Sequence, residues 1–220
     1  MISISSKALS LLSGGLDSFV SLALAHHSLD VIQTLTFDYG QRAAAKEIEA
    51  AKKISQHFNL PHHVIGLPWL AELGSNALTH RDQALPIFKN LAALTDDTKT
   101  KSSAQAVWVP NRNGIFLNIA AALAESQGAD WVLTGFNKEE AATFPDNTAE
   151  YVTALNHALG YSTLNKVKIK SFVQEMTKKE MVRTLKEMGL PLNMTWSCYE
   201  GNSTPCGVCE SCARYENALS

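Results

Sequence analysis

The sequence predicts a doubly wound α/β fold, in which helices cover both faces of a parallel sheet. Two observations support this prediction. Segments rich in β-forming residues alternate with segments of helical periodicity, and a glycine-rich turn separates the first strand from the first helix. The 220 residues suit one domain with a sizeable core, and a hydrophobic content of 45% is ordinary for a globular protein.

Four strands are predicted from short apolar or β-branched runs at residues 7–12, 31–37, 62–67 and 129–135. The helices after the first two strands carry apolar residues at helical spacing, which are Leu16, Phe19, Val20 and Ala23 in one and Ala44, Ile48, Ala51, Ile54 and Phe58 in the other. The segment "IFLNIAAALAESQG" predicts the helix before the fourth strand. Such alternation is typical of parallel sheets covered on both faces.

Two regions interrupt this alternation. Residues 74–106 are polar with weak apolar patches. Because so long a connection is usually either functional or disordered, we expect a flexible insertion or a substrate lid. Residues 196–220 show no strand or helix period until their last few positions. The chain therefore divides into an α/β domain, residues 1–195, and a small C-terminal segment, residues 196–220.

Charge and hydropathy exclude several classes of function. The net charge is -2, so no global basic field attracts nucleic acid. The apolar runs are too short to cross a bilayer, which takes about 20 residues. The N-terminus also lacks the basic and apolar regions of a signal peptide. We expect a cytoplasmic protein without a membrane or nucleic-acid partner.

The turn after the first predicted strand reads "LLSGGLDSFVSLALA". Gly14 and Gly15 let the backbone approach a ligand closely, and the following helix offers an anion its unpaired N–H groups and its positive dipole end. Ser13 and Ser18 add hydroxyl donors. Since Asp17 repels a phosphate unless a cation lies between them, the pattern indicates Mg²⁺ as well.

This turn is neither a Walker loop, which needs a lysine after its glycines, nor the G-x-G-x-x-G dinucleotide fingerprint. The pattern S-G-G-x-D-S instead resembles the PP-loop of ATP pyrophosphatases, which grip the β- and γ-phosphates of ATP while the α-phosphate is attacked. The ordinary alternative is a glycine turn with Asp17 and Ser18 in the first helical turn. The resemblance implies an ATP site made of Leu12, Ser13, Gly14, Gly15, Leu16, Asp17 and Ser18. Asp38, at the end of the second predicted strand, and Gln41 and Arg42 next to it are expected to face the same crevice and to belong to this ATP site.

All 4 cysteines lie in "CYEGNSTPCGVCESC", at Cys198, Cys206, Cys209 and Cys212. In a cytosolic protein this spacing indicates metal rather than disulfides. Four thiolates suit a closed, structural Zn²⁺ site. An iron–sulfur cluster is the alternative, although the fourth cysteine of a ferredoxin follows the triplet and here it precedes it. If zinc takes all four thiols, none is left to carry sulfur, which favours nitrogen transfer over sulfur transfer.

With these motifs in order, the sequence resembles the 7-cyano-7-deazaguanine synthase family. The matching segments span nearly the whole chain: "LSGGLDS", "FDYGQR", "VPNRN", "TGFNKEEAATFPDN" and the terminal cysteines. This family makes the nitrile precursor of queuosine from 7-carboxy-7-deazaguanine, ammonia and ATP. The resemblance implies two activations on one ATP site: first of the carboxylate, which ammonia converts to an amide, and then of the amide oxygen, whose loss leaves the nitrile.

The resemblance also implies roles for the middle motifs. Arg112 offers a planar fork for a carboxylate or phosphate, and we expect it to act in catalysis with Asp17 and Ser18. The alternative interpretation is that Arg112 forms a salt bridge within the loop and contacts no ligand. The substrate-binding candidates are Asn111, Arg112, Asn113, Glu139, Glu140 and Asp146, among which surface solvation explains Glu139 or Glu140 equally well. The stretch "GFNKEEAATFPDN" departs from the commoner "DYSGYPDC"-like form but keeps its Pro-Asp step at Asp146.

The expected partners are small molecules and a second copy of the chain, since the family resemblance implies a homodimer. The second hypothesis is a related enzyme that activates a similar substrate and joins it to a macromolecule, tRNA or protein. A tRNA enzyme is expected to carry an appended basic domain. Because no such domain lies outside the fold, the sequence favours the small substrate.

Overall fold

The computed structural model describes residues 6–88 and 94–220. Its strands are β1 (Lys7–Leu11), β2 (Asp30–Asp38), β3 (His62–Gly66), β4 (Trp131–Thr134) and β5 (Lys168–Ser171). Its α-helices are α1 (Leu16–Ala25), α2 (Ala44–His57), α3 (Asp97–Ala106), α4 (Arg112–Ser126), α5 (Lys138–Ala141), α6 (Ala149–Ser162), α7 (Lys178–Glu187) and α8 (Glu210–Leu219). Short 3₁₀ turns occupy Pro68–Glu72, Pro145–Asn147 and Leu192–Met194.

The five strands form one sheet in the order β3-β2-β1-β4-β5, and every pair is parallel. The order reverses between β1 and β4, because the chain first adds β2 and β3 on one side of β1 and then β4 and β5 on the other. Ligands of such sheets bind outside the carboxyl ends of the strands at this reversal. The predicted fold class is confirmed, and the glycine turn lies at the reversal.

Two apolar layers cover the sheet. One contains residues of α1, α2, α7 and α8, and the other contains residues of α4 and α6. Successive residues of β1 point into opposite layers, with Ala8 in the first and Leu9 in the second. In β4, Leu133 and Val132 do the same. Burial on both faces explains why the interiors of β1, β2 and β4 contain no charged residue.

The four predicted strands are confirmed to within two residues at each end. The sequence pattern misses β5, whose four residues read "KIKS". Only Ile169 of this strand is fully buried, while Lys168 and Lys170 are exposed. Short edge strands that carry lysines are a common way to block pairing with another chain, and they give little hydrophobic signal. The pattern also misses α6 and α7.

The polar stretch 74–106 contains α3 and several contacts with the rest of the fold. Arg42 donates from its guanidinium to the carbonyl oxygens of His80 (2.6 Å) and Gln83. The Phe88 N–H donates to the carbonyl of Val208 in the C-terminal segment at 2.7 Å. Residues 89–93 of this stretch lie outside the described residues, and its role as a lid or flexible insertion stays a prediction.

Among residues 6–88 and 94–220, none of the helices has the length and apolar character that crossing a bilayer requires.

Candidate active site

A cavity of about 290 Å³ opens outside the carboxyl ends of β1, β2 and β4. Ten of the residues predicted for the site line it: Leu12, Ser13, Gly15, Leu16, Asp17, Ser18, Gln41, Arg112, Asn113 and Glu140. Six others do not: Gly14, Asp38, Arg42, Asn111, Glu139 and Asp146. The cavity lies where the sheet order reverses, as the sequence predicts for a ligand site.

The turn between β1 and α1 is held by its own serines. The Ser13 N–H donates to Ser18 Oγ at 3.2 Å, and the two hydroxyl oxygens lie 3.1 Å apart. The Ser18 hydroxyl also donates to the carbonyl of Gly15 at 3.2 Å. Gly15 precedes α1 and supplies no capping side chain. The first N–H groups of this helix are therefore available to an anion.

Glycine is required at two positions of this region for packing. Gly14 has φ +82°, and a Cβ there would lie 2.5 Å from the carbonyl oxygen of Glu47 in α2. Its bare backbone thus allows the close approach of α2, and its role in letting a ligand approach the turn stays a prediction. At Gly135, after β4, a Cβ would lie 2.6 Å from the amide nitrogen of Ser18. Gly135 therefore lets β4 end directly against the start of α1.

Lys178 connects two acidic residues of the cavity wall. Its Nζ lies 2.7 Å from Asp17 Oδ2 and 3.0 Å from Glu140 Oε1. The lysine side chain is only 10% exposed. All three residues line the cavity. The structure therefore places the buried cation of Lys178 beside the glycine turn that joins β1 to α1. The sequence analysis does not identify this residue.

Electrostatics in this cluster follow from burial and charge. Burial raises the pKa of Asp17 to about 6, more than Lys178 lowers it. Burial also favours a lower pKa for Lys178, but Asp17 and Glu140 outweigh it and raise the pKa. For Glu140, burial raises the pKa, but the charge and hydrogen bond of Lys178 together with Arg214 and Arg112 outweigh burial, so the pKa is lowered. The lysine and Glu140 thus stay charged at neutral pH.

The second oxygen of Asp17 is suited to a further cation. Asp17 Oδ1 is buried and accepts no hydrogen bond from any residue that the structure describes. An unsatisfied buried carboxylate oxygen is costly. Oxygen ligands of this kind are what Mg²⁺ takes, usually together with substrate phosphates. The position of Asp17 in the turn therefore fits the predicted Mg²⁺.

One sequence signal does point to Lys178. It is the first residue of α7, and Thr177 and Glu180 form a capping box around it. A cation at a helix N-terminus opposes the helix dipole. A buried lysine there needs acidic partners from elsewhere in the fold, and the carboxylates of Asp17 and Glu140 supply them.

Arg112 begins α4 and lines the cavity. Its Nη1 donates to the hydroxyl of Tyr39 at 2.9 Å, and its guanidinium carbon lies 5.4 Å from the centre of that ring. No acidic side chain among the described residues forms a salt bridge with it. A guanidinium has five N–H donors, so the contact with Tyr39 leaves several for an anionic ligand.

The other candidates for substrate binding divide into two groups. Asn113 lines the cavity, and its side-chain amide donates to Asp146 at 2.9 Å. Glu139 instead accepts the Lys178 N–H at 2.8 Å and lies 3.8 Å from Arg214, so it fixes the start of α7. Asn111 is exposed, and its side-chain oxygen lies so close to Gly114 that a Cβ on Gly114 would be 2.1 Å from it.

The motif after β2 mainly organises the structure. Asp38 accepts the Gly40 N–H at 3.1 Å. The Gln41 amide accepts the Tyr39 N–H and donates to Phe37 and to Glu47, although one side of Gln41 lines the cavity. The guanidinium of Arg42 is bound to Glu200 at 2.9 Å and to carbonyls of the 74–106 stretch. These contacts hold the Arg42 guanidinium away from the cavity lining, and its part in an ATP site stays a prediction.

The four predicted cysteines come together. Their sulfur atoms all lie within 4.8 Å of one another, and none of the four forms a disulfide. Backbone N–H groups point at the sulfurs, from Cys206 to Cys198 Sγ (3.2 Å) and from Cys209 to Cys206 Sγ (3.3 Å). Such N–H···S contacts favour thiolates.

Without a metal, the thiols of Cys198, Cys209 and Cys212 differ in pKa and are not all deprotonated. A hydrogen bond from Cys212 lowers the pKa of Cys209 to about 5, whereas burial raises the pKa of Cys198 to about 11 and Cys212 keeps its proton. Four thiolates so close together would repel one another, and a bound dication would offset part of that repulsion. Four sulfurs in a compact cluster fit a tetrahedral metal site, for which Zn²⁺ is the usual ion.

The C-terminal segment forms one wall of the cavity. The Trp196 N–H donates to the carbonyl of Gly14 at 2.8 Å, and this hydrogen bond connects the C-terminal segment to the glycine turn. Trp196, Ser197 and Tyr199 line the cavity. Cys209 also pairs with Ile87 of the 74–106 stretch. The cysteine cluster therefore holds a wall of the site in place.

A comparison with protein-family models matches residues 7–220 to the family described as queuosine biosynthesis protein QueC. The chain belongs to the QueC family. It is similar to the 7-cyano-7-deazaguanine synthase of Carboxydothermus hydrogenoformans, with 51% identity over 212 residues that cover 96% of this chain and 97% of the relative. The enzyme of the same name from Methanosarcina mazei is 47% identical over 215 residues, which cover 97% and 93%.

Membership of the QueC family makes the chain an enzyme, and it confirms the family predicted from the sequence motifs. Among solved structures, the U34-tRNA thiolase NcsA of Methanococcus maripaludis with its 4Fe-4S cluster is similar, with a TM-score of 0.51 at 16% identity. The likeness covers 99% of this chain and 66% of that one. It concerns the fold alone.

Proposed function

We propose that this QueC-family enzyme converts 7-carboxy-7-deazaguanine and ammonia into 7-cyano-7-deazaguanine at the expense of ATP. The observation that carries the proposal is the cavity itself, in which the glycine turn before α1, the buried Lys178 and the Arg112 guanidinium with unused donors meet. Relatives that share about half of their residues with this chain carry the name of that activity. The reaction is a carbon–nitrogen ligation followed by formation of a nitrile.

The two steps use the same displacement on ATP. The carboxylate attacks the α-phosphate, pyrophosphate leaves, and ammonia then displaces AMP to give the amide. In the second round the amide oxygen attacks a second ATP, pyrophosphate leaves again, and loss of AMP and protons gives the nitrile. Each nitrile therefore releases two AMP and two pyrophosphates. Because one turn holds the phosphates in both rounds, no second ATP site is needed.

The residues of the cavity supply positioning and charge for these displacements. The N–H groups at the start of α1 and the hydroxyls of Ser13 and Ser18 bind the β- and γ-phosphates. Arg112, with donors left over from its contact with Tyr39, binds the substrate carboxylate or the adenylate. Lys178, whose Nζ lies 2.7 Å from Asp17, supplies positive charge beside the turn that holds the phosphates.

The proposed metals have separate tasks. Asp17 holds Mg²⁺ through its unsatisfied Oδ1. Mg²⁺ held there would offset part of the negative charge of the phosphates and of the departing pyrophosphate. Cys198, Cys206, Cys209 and Cys212 hold Zn²⁺ in a closed site, which has no open position for catalysis. The family resemblance further leads us to propose a homodimer in the cytoplasm.

A time course of masses tests the proposal. The purified protein is mixed with 7-carboxy-7-deazaguanine, ammonium and Mg-ATP. We expect the amide to rise and then decline as the nitrile accumulates, with two AMP per nitrile. The amide supplied with ATP but without ammonium should also be converted. If the acid stays at the adenylate until tRNA or a protein acceptor is added, the enzyme instead modifies a macromolecule, and the proposal is wrong.

A further inference from the structure

Of the acidic side chains that line the cavity in the described part of the chain, Glu47 is the one without a cationic partner. The other two, Asp17 and Glu140, both form ion pairs with Lys178. Glu47 lies in the first turn of α2, is half-buried and forms no salt bridge with any described residue. Its Oε2 accepts one hydrogen bond, at 2.9 Å from the side-chain amide of Gln41. Because a partly buried carboxylate without a counter-charge is costly, its place on the cavity wall indicates a role toward the ligand.

A series of hydrogen bonds holds Glu47 on the side of the cavity where Arg112 lies. Gln41, which donates to Glu47, also accepts the backbone N–H of Tyr39 at 2.9 Å. The hydroxyl of Tyr39 in turn accepts from the Arg112 guanidinium at 2.9 Å. Arg112 is near enough to Glu47 for its charge to lower the pKa of that carboxyl. Since Arg112 is proposed to bind the substrate carboxylate or the adenylate, Glu47 lies on the side of the carbon that ammonia attacks.

The other titratable groups of the cavity wall are poor proton acceptors. No histidine is among the lining residues that the structure describes. Burial raises the pKa of the phenols of Tyr39 and Tyr199, which therefore keep their protons at neutral pH. The pKa of Glu140 is lowered, mainly by Lys178. Glu47 is thus the carboxylate that remains available for proton transfer.

We propose that Glu47 accepts a proton from the nitrogen of ammonia in the amide-forming step. This inference rests on the proposed function and names a further catalytic residue of the same site. Ammonia attacks the acyl carbon of the adenylate, and its electron pair forms the C–N bond. One N–H proton then passes to Oε1 of Glu47, the carbonyl re-forms, and the C–O bond to AMP breaks with its electron pair on AMP. Glu47 afterwards releases the proton to solvent.

The electrostatics of Glu47 support this task. Burial raises the pKa of its carboxyl more than the hydrogen bond from Gln41 and the charge of Arg112 lower it, and the charge of Asp38 adds to the increase. A carboxylate with a raised pKa is a stronger proton acceptor. The hydrogen bond from Gln41 is made to Oε2, so Oε1 is free to receive the proton.

A change of nucleophile in Glu47→Gln tests the proposal. The glutamine keeps the shape and an amide oxygen for the Gln41 N–H, but it is not a base. With ammonium, the rate of amide formation should fall roughly 100-fold or more, which is the usual contribution of a general base. With hydroxylamine, formation of the hydroxamate should fall less than about threefold, because the less basic nitrogen gives up its proton to water. Glu47→Asp, which retains a carboxylate, should recover at least about tenfold of the loss with ammonium.

The matched control is Glu49→Gln, because Glu49 is an exposed glutamate on the same helix; it should react like the parent with both nucleophiles. Equal losses of Glu47→Gln with ammonium and hydroxylamine would overturn the inference, since a defect in folding or in activation of the acid affects both reactions. Full activity with ammonium would also overturn it, because a side chain that only holds Gln41 needs no charge. If the parent consumes the acid with neither nucleophile, the proposed function fails and this inference with it. If the parent forms amide and nitrile but Glu47→Gln shows no selective loss with ammonium, only the inference fails.

Discussion

Replacement of Lys178 with methionine should lower the free energy of unfolding by about 3 kcal/mol near neutral pH. The lysine lies between two carboxylates, at 2.7 Å from Asp17 and 3.0 Å from Glu140. Methionine keeps the volume of the buried stem, so it removes the charge and leaves little cavity. The variant therefore isolates the electrostatic role of Lys178.

The magnitude follows from the exposure of the three side chains. Removal of one partner from a buried ion pair costs about 3–5 kcal/mol, because the remaining charge is left without compensation. The side chains of Lys178 and Asp17 are 10% and 19% exposed, but that of Glu140 is 33% exposed and water screens part of its charge. We therefore take the lower end of this range, about 3 kcal/mol.

The cost should depend on pH, and its sign can be worked out. Burial raises the pKa of Asp17 to about 6, above its ordinary value of 3.8. Protonation of Asp17 thus favours the folded state, and this contribution is lost as the pH rises through about 6. Below that value the protonated carboxyl no longer needs Lys178. At about pH 5 the cost of Lys178→Met should therefore be smaller than at neutral pH, and the part that remains comes from Glu140, whose pKa is lowered and which stays charged.

Urea unfolding at both pH values measures these effects. Lys179→Met is the matched control, since Lys179 is the exposed neighbour on the same helix and its loss should change stability by less than about 0.5 kcal/mol. The double variant with Asp17→Asn should recover part of the loss. A cost below about 1 kcal/mol at neutral pH, or one that is the same at pH 5, would refute the assignment of Lys178 as the counter-charge of buried carboxylates.

Three further predictions concern chemistry and metal. Asp17→Asn should stay folded and slow pyrophosphate release by about 100-fold or more, because the Mg²⁺ ligand is lost; release at the parent rate would exclude Asp17 as that ligand. Arg112→Lys should lower kcat/KM at least about tenfold, since a point charge cannot replace a bidentate fork; a fully active variant would return Arg112 to a structural role. Elemental analysis should find about one zinc per chain and little iron, and Cys206→Ala should lose the zinc and lower the melting temperature; a brown, iron-containing protein would contradict this assignment.

The parts of the fold and site that were predictable are local in sequence. The glycine turn with Ser13, Asp17 and Ser18 spans six consecutive residues, and the four cysteines lie within fifteen consecutive residues. The four strands found from the sequence carry continuous or β-branched apolar runs, whereas β5 has one buried isoleucine between lysines and gives no such pattern. Such a segment is recognised as a strand only from its pairing with β4 in the structure.

The contacts between residues of distant segments could not be predicted. Lys178 contacts Asp17 across 161 positions of the chain, and only the packing of α7 beside α1 brings them together. The sequence places Arg42 next to Gln41 at the end of β2, but it does not reveal that carbonyls of His80 and Gln83 bind the guanidinium. Tertiary contacts decide which of two adjacent polar side chains faces a ligand.

The central position of β1 has a consequence for how the chain folds. Leu9 in β1 pairs with Val132 in β4, so pairing of these two strands closes a loop of roughly 120 residues. Loop closure of that length costs entropy before any contact between β1 and β4 is formed, and parallel pairings of this kind are slow. We expect β1, β2 and β3 to associate early and the catalytic cavity to appear only with the last, slow step of refolding.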